Sequence, residues 1–194
     1  MNYRFKKILA ASHGFTLIEL LIVVLILSTI SLVVVPRISN ILNSKRSGFL
    51  ILTNMIAKTF DDSFANDRLN FVLVHLHEPM SINENQEKLF SRTNGISVVV
   101  RNENGFFEDN KNKLLQYKNF SDSFKIEEVL LSTGEKVTTG NILIPFYPEG
   151  QSDNVILHIL VNNEENWSLR IYKMRKEPGI FPGYINFSDQ ENVF

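Results

Sequence analysis

The residue whose chemistry fits its surroundings least is Glu19. It stands inside residues 15–35, where 16 of the 21 side chains are apolar. A carboxylate at bilayer depth costs roughly 2.5–3.5 kcal/mol on insertion scales, and such groups normally face a partner. No cation of the same chain can reach it, because the nearest ones, Lys7 and Arg37, flank the run at a distance. Other groups that could do chemistry are weaker. His75 and His77 alternate along one strand, a spacing that could ligate a metal, but no third ligand accompanies them and they read as packed or solvated side chains. His158 stands alone in an apolar strand and reads as a core histidine with its nitrogens satisfied. The acids of "NENGFFEDNKN" could coordinate calcium, yet their spacing matches no EF-hand loop and a plain surface loop is preferred. There is no G-x-S-x-G, no G-x-x-x-x-G-K-[ST] and no cysteine. The sequence therefore points to a protein with no catalytic site, metal or cofactor.

The elements that carry these residues follow from composition and periodicity. With 194 residues, 44% apolar and 21% charged, the chain has the make-up of a folded protein. A net charge of −1 and a pI near 6.4 give no general attraction for nucleic acid, and no block of Lys and Arg interleaved with aromatics is present. The lack of cysteine suits an oxidising compartment. At about 1.5 Å rise per residue, residues 15–35 would span roughly 31 Å, which matches the hydrocarbon thickness of a bilayer. A secretory signal would have a shorter apolar core followed by small residues of the A-x-A kind, and neither is found near residues 31–37. Positive charge does not set the orientation, since Arg4, Lys6 and Lys7 before the run balance Arg37, Lys45 and Arg46 after it. Beyond Pro36, which should kink the helix, apolar residues at Ile38, Ile41, Leu42, Phe49, Leu52, Ile56, Phe60 and Phe64 predict an amphipathic helix to about residue 68. Ser28, Thr29 and Ser31 are expected to satisfy local carbonyls or neighbouring helices. From residue 70 the period becomes that of strands, read at 70–77, 95–101, 113–118, 124–131, 141–147, 154–161, 167–173 and 183–187. The hairpin over 154–173 is the firmest. The expected class is α+β, with a long helix packed on an antiparallel sheet domain.

The basic leader "MNYRFKKILAASHG", followed by Phe-Thr-Leu-Ile-Glu, resembles the class III signal of type IV pilins and type II secretion pseudopilins. The resemblance implies that a prepilin peptidase cuts between Gly14 and Phe15 and N-methylates Phe15, so that the apolar helix is kept. Glu19 is then the fifth residue of the mature chain, where the family has its glutamate, and Pro36 the twenty-second, where many members have a helix-breaking proline. It also implies a partner for Glu19: the new α-amino group of Phe15, on its own helix or on that of the next subunit. One stagger of helices neutralises both charges and every other strands them, so the pair would set axial register. Removing Arg4, Lys6 and Lys7 from the 20 basic residues leaves 17 against 21 acidic ones, a balance of −4. The organisation expected is a cleaved leader at 1–14, a transmembrane half-helix at 15–35, an amphipathic half-helix at 36–69 and a periplasmic β-rich domain at 70–194.

Within that domain, Phe146, Pro148 and Gly150 resemble the Phe-x-Pro-x-Gly turn of GspH-type minor pseudopilins and the related FimT-type minor pilins, with Trp167 as the following aromatic and Gly179 as the closing glycine. The resemblance implies a minor pseudopilin of type II secretion at the tip of a periplasmic pseudopilus, anchored by one pass in the bacterial inner membrane. Its partners would be prepilin peptidase, other minor and major pseudopilins and the inner-membrane assembly platform, without nucleic acid. The alternative is a minor pilin of a type IV pilus or DNA-uptake system. The apolar tail Ile180, Phe181, Tyr184, Ile185 and Phe187 departs from the short pattern. It reads either as an internal edge strand packed on the helix or, through Tyr184 and Phe187, as a docking surface for another subunit.

Overall fold

The structure, a computed structural model, describes residues 16–78, 89–103, 105–108 and 112–190, with the backbone alone at 33–42 and 190. It divides into two compact units, Met1–Asn40 and Ile41–Phe194. One helix, α1, covers Leu17–Ala65, and its helical backbone continues through Pro36. The strands are β1 (Asn70–His75), β2 (Gly95–Asn102), β3 (Gly105–Glu108), β4 (Lys118–Asn119), β5 (Phe124–Leu131), β6 (Lys136–Val137), β7 (Asn141–Tyr147), β8 (Gln151–Ser152), β9 (Val155–Val161), β10 (Glu165–Ile171) and β11 (Gly179–Pro182). A 3-10 turn, Phe187–Gln190, follows.

All strand pairs are antiparallel, but they form two sheets rather than one. The first runs β3-β2-β1-β7-β8 with β4 also on β2, and the second runs β11-β10-β9-β5-β6. Side chains of alternate residues meet in one core, to which α1 contributes Phe49, Leu52, Met55 and Ile56. Val72, Val74, Ile96, Val98, Ile142, Ile144 and Phe146 face it from the first sheet. Ile126, Val129, Leu157, Ile159, Leu169 and Ile171 do so from the second. The step of three between Ile126 and Val129 breaks strict alternation, and a register shift between Ile126 and Glu128 explains it. The extra residue, Glu127, lets both apolar neighbours point inward.

The two outer faces are covered as well, which is why β1 and β9 are buried at nearly every position. Over the first sheet, Phe71, Phe90 and Phe106 meet edge to face at 5.3 and 6.3 Å. Over the second, the segment after β11 folds back: Ser168 Oγ donates to the Gly183 carbonyl at 2.8 Å, and the Ile185 amide donates to Ser168 Oγ at 3.0 Å.

Two strand readings need correction. Residues 113–115 form a turn closed by the Leu115 amide on the Asn112 carbonyl, and only Lys118–Asn119 pairs with β2. At the tail the strand is Gly179–Pro182 rather than 183–187, because Gly183 turns the chain at φ +79°. The hairpin over 154–173 forms as expected, with Asn162 and Asn163 both in the left-handed region of its turn.

Candidate functional site

Gly14 and Phe15 lie outside the described residues. The helix begins immediately after them, and Thr16 caps it. The Glu19 amide donates to Thr16 Oγ1 at 3.3 Å, while the Thr16 amide donates to a Glu19 carboxylate oxygen at 3.5 Å. This reciprocal arrangement is a capping box, written in the sequence as Thr-Leu-Ile-Glu and missed by a reading that treated Glu19 only as a charge in search of a counter-ion. Every side chain from Thr16 to Leu32 is exposed. Ser28 Oγ donates to the Val24 carbonyl at 2.7 Å and Thr29 Oγ1 to that of Ile26 at 2.8 Å, so both hydroxyls are satisfied locally. Among the described residues no helix is long and apolar enough to cross a membrane; the described side chains of the apolar run stop at Leu32, short of its end at Val35. The Pro36 side chain lies outside the description.

The tail residues are engaged within the chain. His158 and Tyr184 stack at 4.4 Å and 5° between planes, and the Tyr184 hydroxyl donates to Glu127 at 2.7 Å. Burial and the neighbouring Glu127 carboxylate raise the Tyr184 phenol well above its usual range. Phe187 is half-buried with the Arg170 guanidinium over its ring at 5.3 Å. Beneath Tyr184, His158 Nδ1 meets Glu128 and His158 Nε2 meets the Ile185 carbonyl at 2.9 Å. Each ring nitrogen faces an acceptor, an arrangement that only the doubly protonated ring satisfies in full. Burial pushes the Glu128 carboxyl up, but hydrogen bonds from His158 and Lys136 outweigh it and hold the group below the ordinary range. These bonds tie the tail to the outer face of the second sheet, not to α1.

The two strand histidines separate. His75 is fully buried, and both of its nitrogens are used: Nδ1 lies 2.6 Å from Asn141 Oδ1 and Nε2 lies 3.1 Å from Ser97 Oγ. The amide oxygen can only accept, so Nδ1 carries the proton and Nε2 accepts from Ser97. Burial lowers its pKa to about 4. His77 is exposed. Among the described residues no cluster of three His, Cys, Asp or Glu is placed to hold a metal. Glu108, one of the acids considered for calcium, instead forms a two-point ion pair with Arg92.

Where α1 faces residues 112–118, a groove of about 660 Å³ opens to solvent. Its floor is apolar and three cations stand around it, Arg46, Lys58 and Lys118. Sequence reasoning missed it. Nearby, Lys45 pairs with Glu165 and lies 4.0 Å over the Trp167 ring, which fixes α1 against β10. Gly150 turns the β7–β8 connection at φ +74°, and Gly179 opens β11.

Residues 9–35 match the model of the prokaryotic N-terminal methylation motif. By sequence alone, none of the curated proteins compared with the chain matches significantly. Among solved structures the chain is similar to the minor pseudopilin EpsH from the type 2 secretion system of Vibrio cholerae, with a TM-score of 0.53 and 9% identity, over 74% of this chain and 99% of that one. At that identity the likeness concerns the fold. The motif implies processing by prepilin peptidase and anchoring through the amino-terminal helix, with the head outside the cytoplasm. The chain thus joins a prokaryotic N-terminal methylation motif at the start of α1 to a fold like that of a minor pseudopilin.

Proposed function

We propose that the protein is a minor pseudopilin of a type II secretion system, a non-enzymatic subunit that joins other minor pseudopilins at the pseudopilus tip and helps initiate assembly for protein export. The observation that carries the proposal is the likeness of fold to a minor pseudopilin over nearly the whole length of that chain. Phe146, Pro148, Gly150, Trp167 and Gly179 support it, since each occupies a turn or packing position in the head. Residues 15–35 serve as a single inner-membrane anchor with the head in the periplasm, and Pro36 marks the change from anchor to stalk. Cleavage after Gly14 yields N-methylated Phe15, whose ammonium pairs with Glu19 of a neighbouring subunit at the assembly platform.

Mass spectrometry of the membrane-extracted chain tests the first step. An N-methylated Phe15 terminus is expected, and a terminus at Met1 or beyond Val35 would overturn the proposal. The Glu19→Val variant should be inserted and processed but poorly incorporated into filaments, unless the subunit sits at the very tip with none above it. Deleting the gene should abolish export of secreted proteins and leave pili intact; loss of pili or of DNA uptake with normal secretion would replace the secretion system with a type IV pilus.

A further inference from the structure

We infer that the groove between α1 and residues 112–118 is the docking site for an acidic amphipathic helix of a companion subunit. The inference rests on the subunit role proposed above and adds the chemistry of the partner. Leu50 and Leu114 flank the groove while 48% and 60% exposed, and Ile51 and Met55 form its floor. Large apolar side chains held open across a cavity of about 660 Å³ offer burial to a partner, not to this chain.

Charge narrows the partner's chemistry. Among the described residues no carboxylate lines the groove, and Arg46, Lys58 and Lys118 form no ion pair. By contrast Lys45, Arg68, Arg92, Lys136 and Lys176 are each paired with Asp or Glu. On a chain whose net charge is −1, three such cations around one apolar floor give the groove a local positive charge. They attract carboxylates and disfavour a basic partner.

Spacing gives the partner's form. Arg46, Leu50, Asn54 and Lys58 follow at intervals of four and make one ridge along α1. The ridge is about 18 Å long from cation to cation, by the rise of a helix. A helix laid along it would bury its apolar middle against Leu50, Ile51 and Leu114 and bring a carboxylate near each end. The expected partner segment therefore carries Asp or Glu about three turns apart with apolar residues between them.

The test places a benzophenone amino acid at Leu50 of the full-length chain in its own cells, with Thr133 in an exposed turn as control. Irradiation should give an adduct at position 50 whose mapped peptide comes from another membrane-anchored subunit and shows the acid–apolar–acid pattern. An adduct with a second copy of this chain, with phospholipid, or with nothing above the Thr133 control would overturn the inference. Combining Arg46→Glu, Lys58→Glu and Lys118→Glu should cut the adduct yield roughly tenfold at unchanged melting temperature; an unchanged yield would also overturn it. Should the triple variant unfold, Arg46→Glu and Lys118→Glu singly carry the same test, each with a fall of about twofold. Failure of the underlying role is read separately: a chain without N-methylated Phe15 strikes the subunit role, whereas a processed chain that yields no adduct strikes the groove alone.

Discussion

Acidification should destabilise the head, and His75 should carry a separable share of that loss. In the native fold its ring is fully buried between Ser97 and Asn141, and burial lowers its pKa from 6.5 to about 4. In the unfolded chain the ring binds a proton as pH falls through 6.5, while the native ring stays neutral until about 4. Between these values the unfolded state holds more protons, so stability falls as pH falls, by about 3 kcal/mol over the whole window. For a head of this size that is a drop of about 6–12 °C in melting temperature. The assay is unfolding of Ile41–Phe194, a compact unit of its own, at pH 7, 6, 5 and 4, beside the His75→Gln variant. Glutamine keeps a donor and an acceptor but does not titrate, so the variant should lose less stability across the window by about the same 3 kcal/mol. Glu128 also contributes: its depressed carboxyl stabilises the fold above the ordinary carboxylate range, and this is lost as pH falls through its lowered value. That loss is common to both proteins and leaves the difference untouched. Equal losses in the two proteins would show that His75 is not held neutral by burial.

Gly48→Ala should lower stability by about 1–3 kcal/mol despite alanine's better helix propensity, because its Cβ would lie 2.4–2.6 Å from the Phe124 ring, which Phe49 and Phe120 hold at 5.1 Å on either hand; an unchanged melting temperature of the head would show that the ring yields. Tyr184→Ser combined with Phe187→Ser should reduce thermal stability of the head, since the stack on His158, the bond to Glu127 and the Arg170 contact are lost together; unchanged stability with lost binding to companion pseudopilins would instead make the tail a docking surface. Glu19→Gln keeps the capping box and removes the charge, so it should fail in filament incorporation as Glu19→Val does, whereas normal incorporation would mean that the cap alone matters.

What was legible in the sequence was whatever local periodicity determines. Long alternating or apolar runs such as those at 70–77, 124–131 and 154–161 became strands close to where they were placed, because each has enough residues to bury a face. "KLLQYK" failed for the opposite reason: Leu114 and Leu115 are adjacent, one exposed and one buried, and a turn places them so without any ladder. The two-residue strands β6 and β8 have no period to detect, and their pairing is set by the neighbours they meet. The division into two sheets lies in long-range pairings such as β1 with β7, which no local pattern announces. For the tail the sequence left two readings, an edge strand packed on the helix or a docking surface; in the fold it lies against the outer face of the second sheet rather than α1, where Glu128, His158, Ser168 and Phe181 form a cross-strand row. The groove was invisible for a similar reason: Leu50 and Leu114 are far apart in the chain and meet only in the fold.

Glu19 shows why its residue type and its place in the helix both matter. A capping box contributes about 1 kcal/mol, and here its second bond, at 3.5 Å, is at the limit of a hydrogen bond. Immersion of the carboxylate costs roughly 2.5–3.5 kcal/mol, so the cap alone leaves most of that cost uncompensated in a membrane. What the cap does is geometric. By accepting from the Thr16 amide, the carboxylate is turned back toward the helix start, where the unpaired amides and the helix dipole already favour negative charge. On the proposed processing, that is also where an ammonium would stand at Phe15, one residue before the cap. Valine would remove both the orientation and the charge, and glutamine only the charge. A glutamate one turn further along the apolar run would keep its charge but lose Thr16 and the helix start as guides. The Thr-Leu-Ile-Glu spacing thus does two jobs with one side chain: it begins the helix, and it turns the carboxylate toward the helix start, where the proposed processing would place an ammonium.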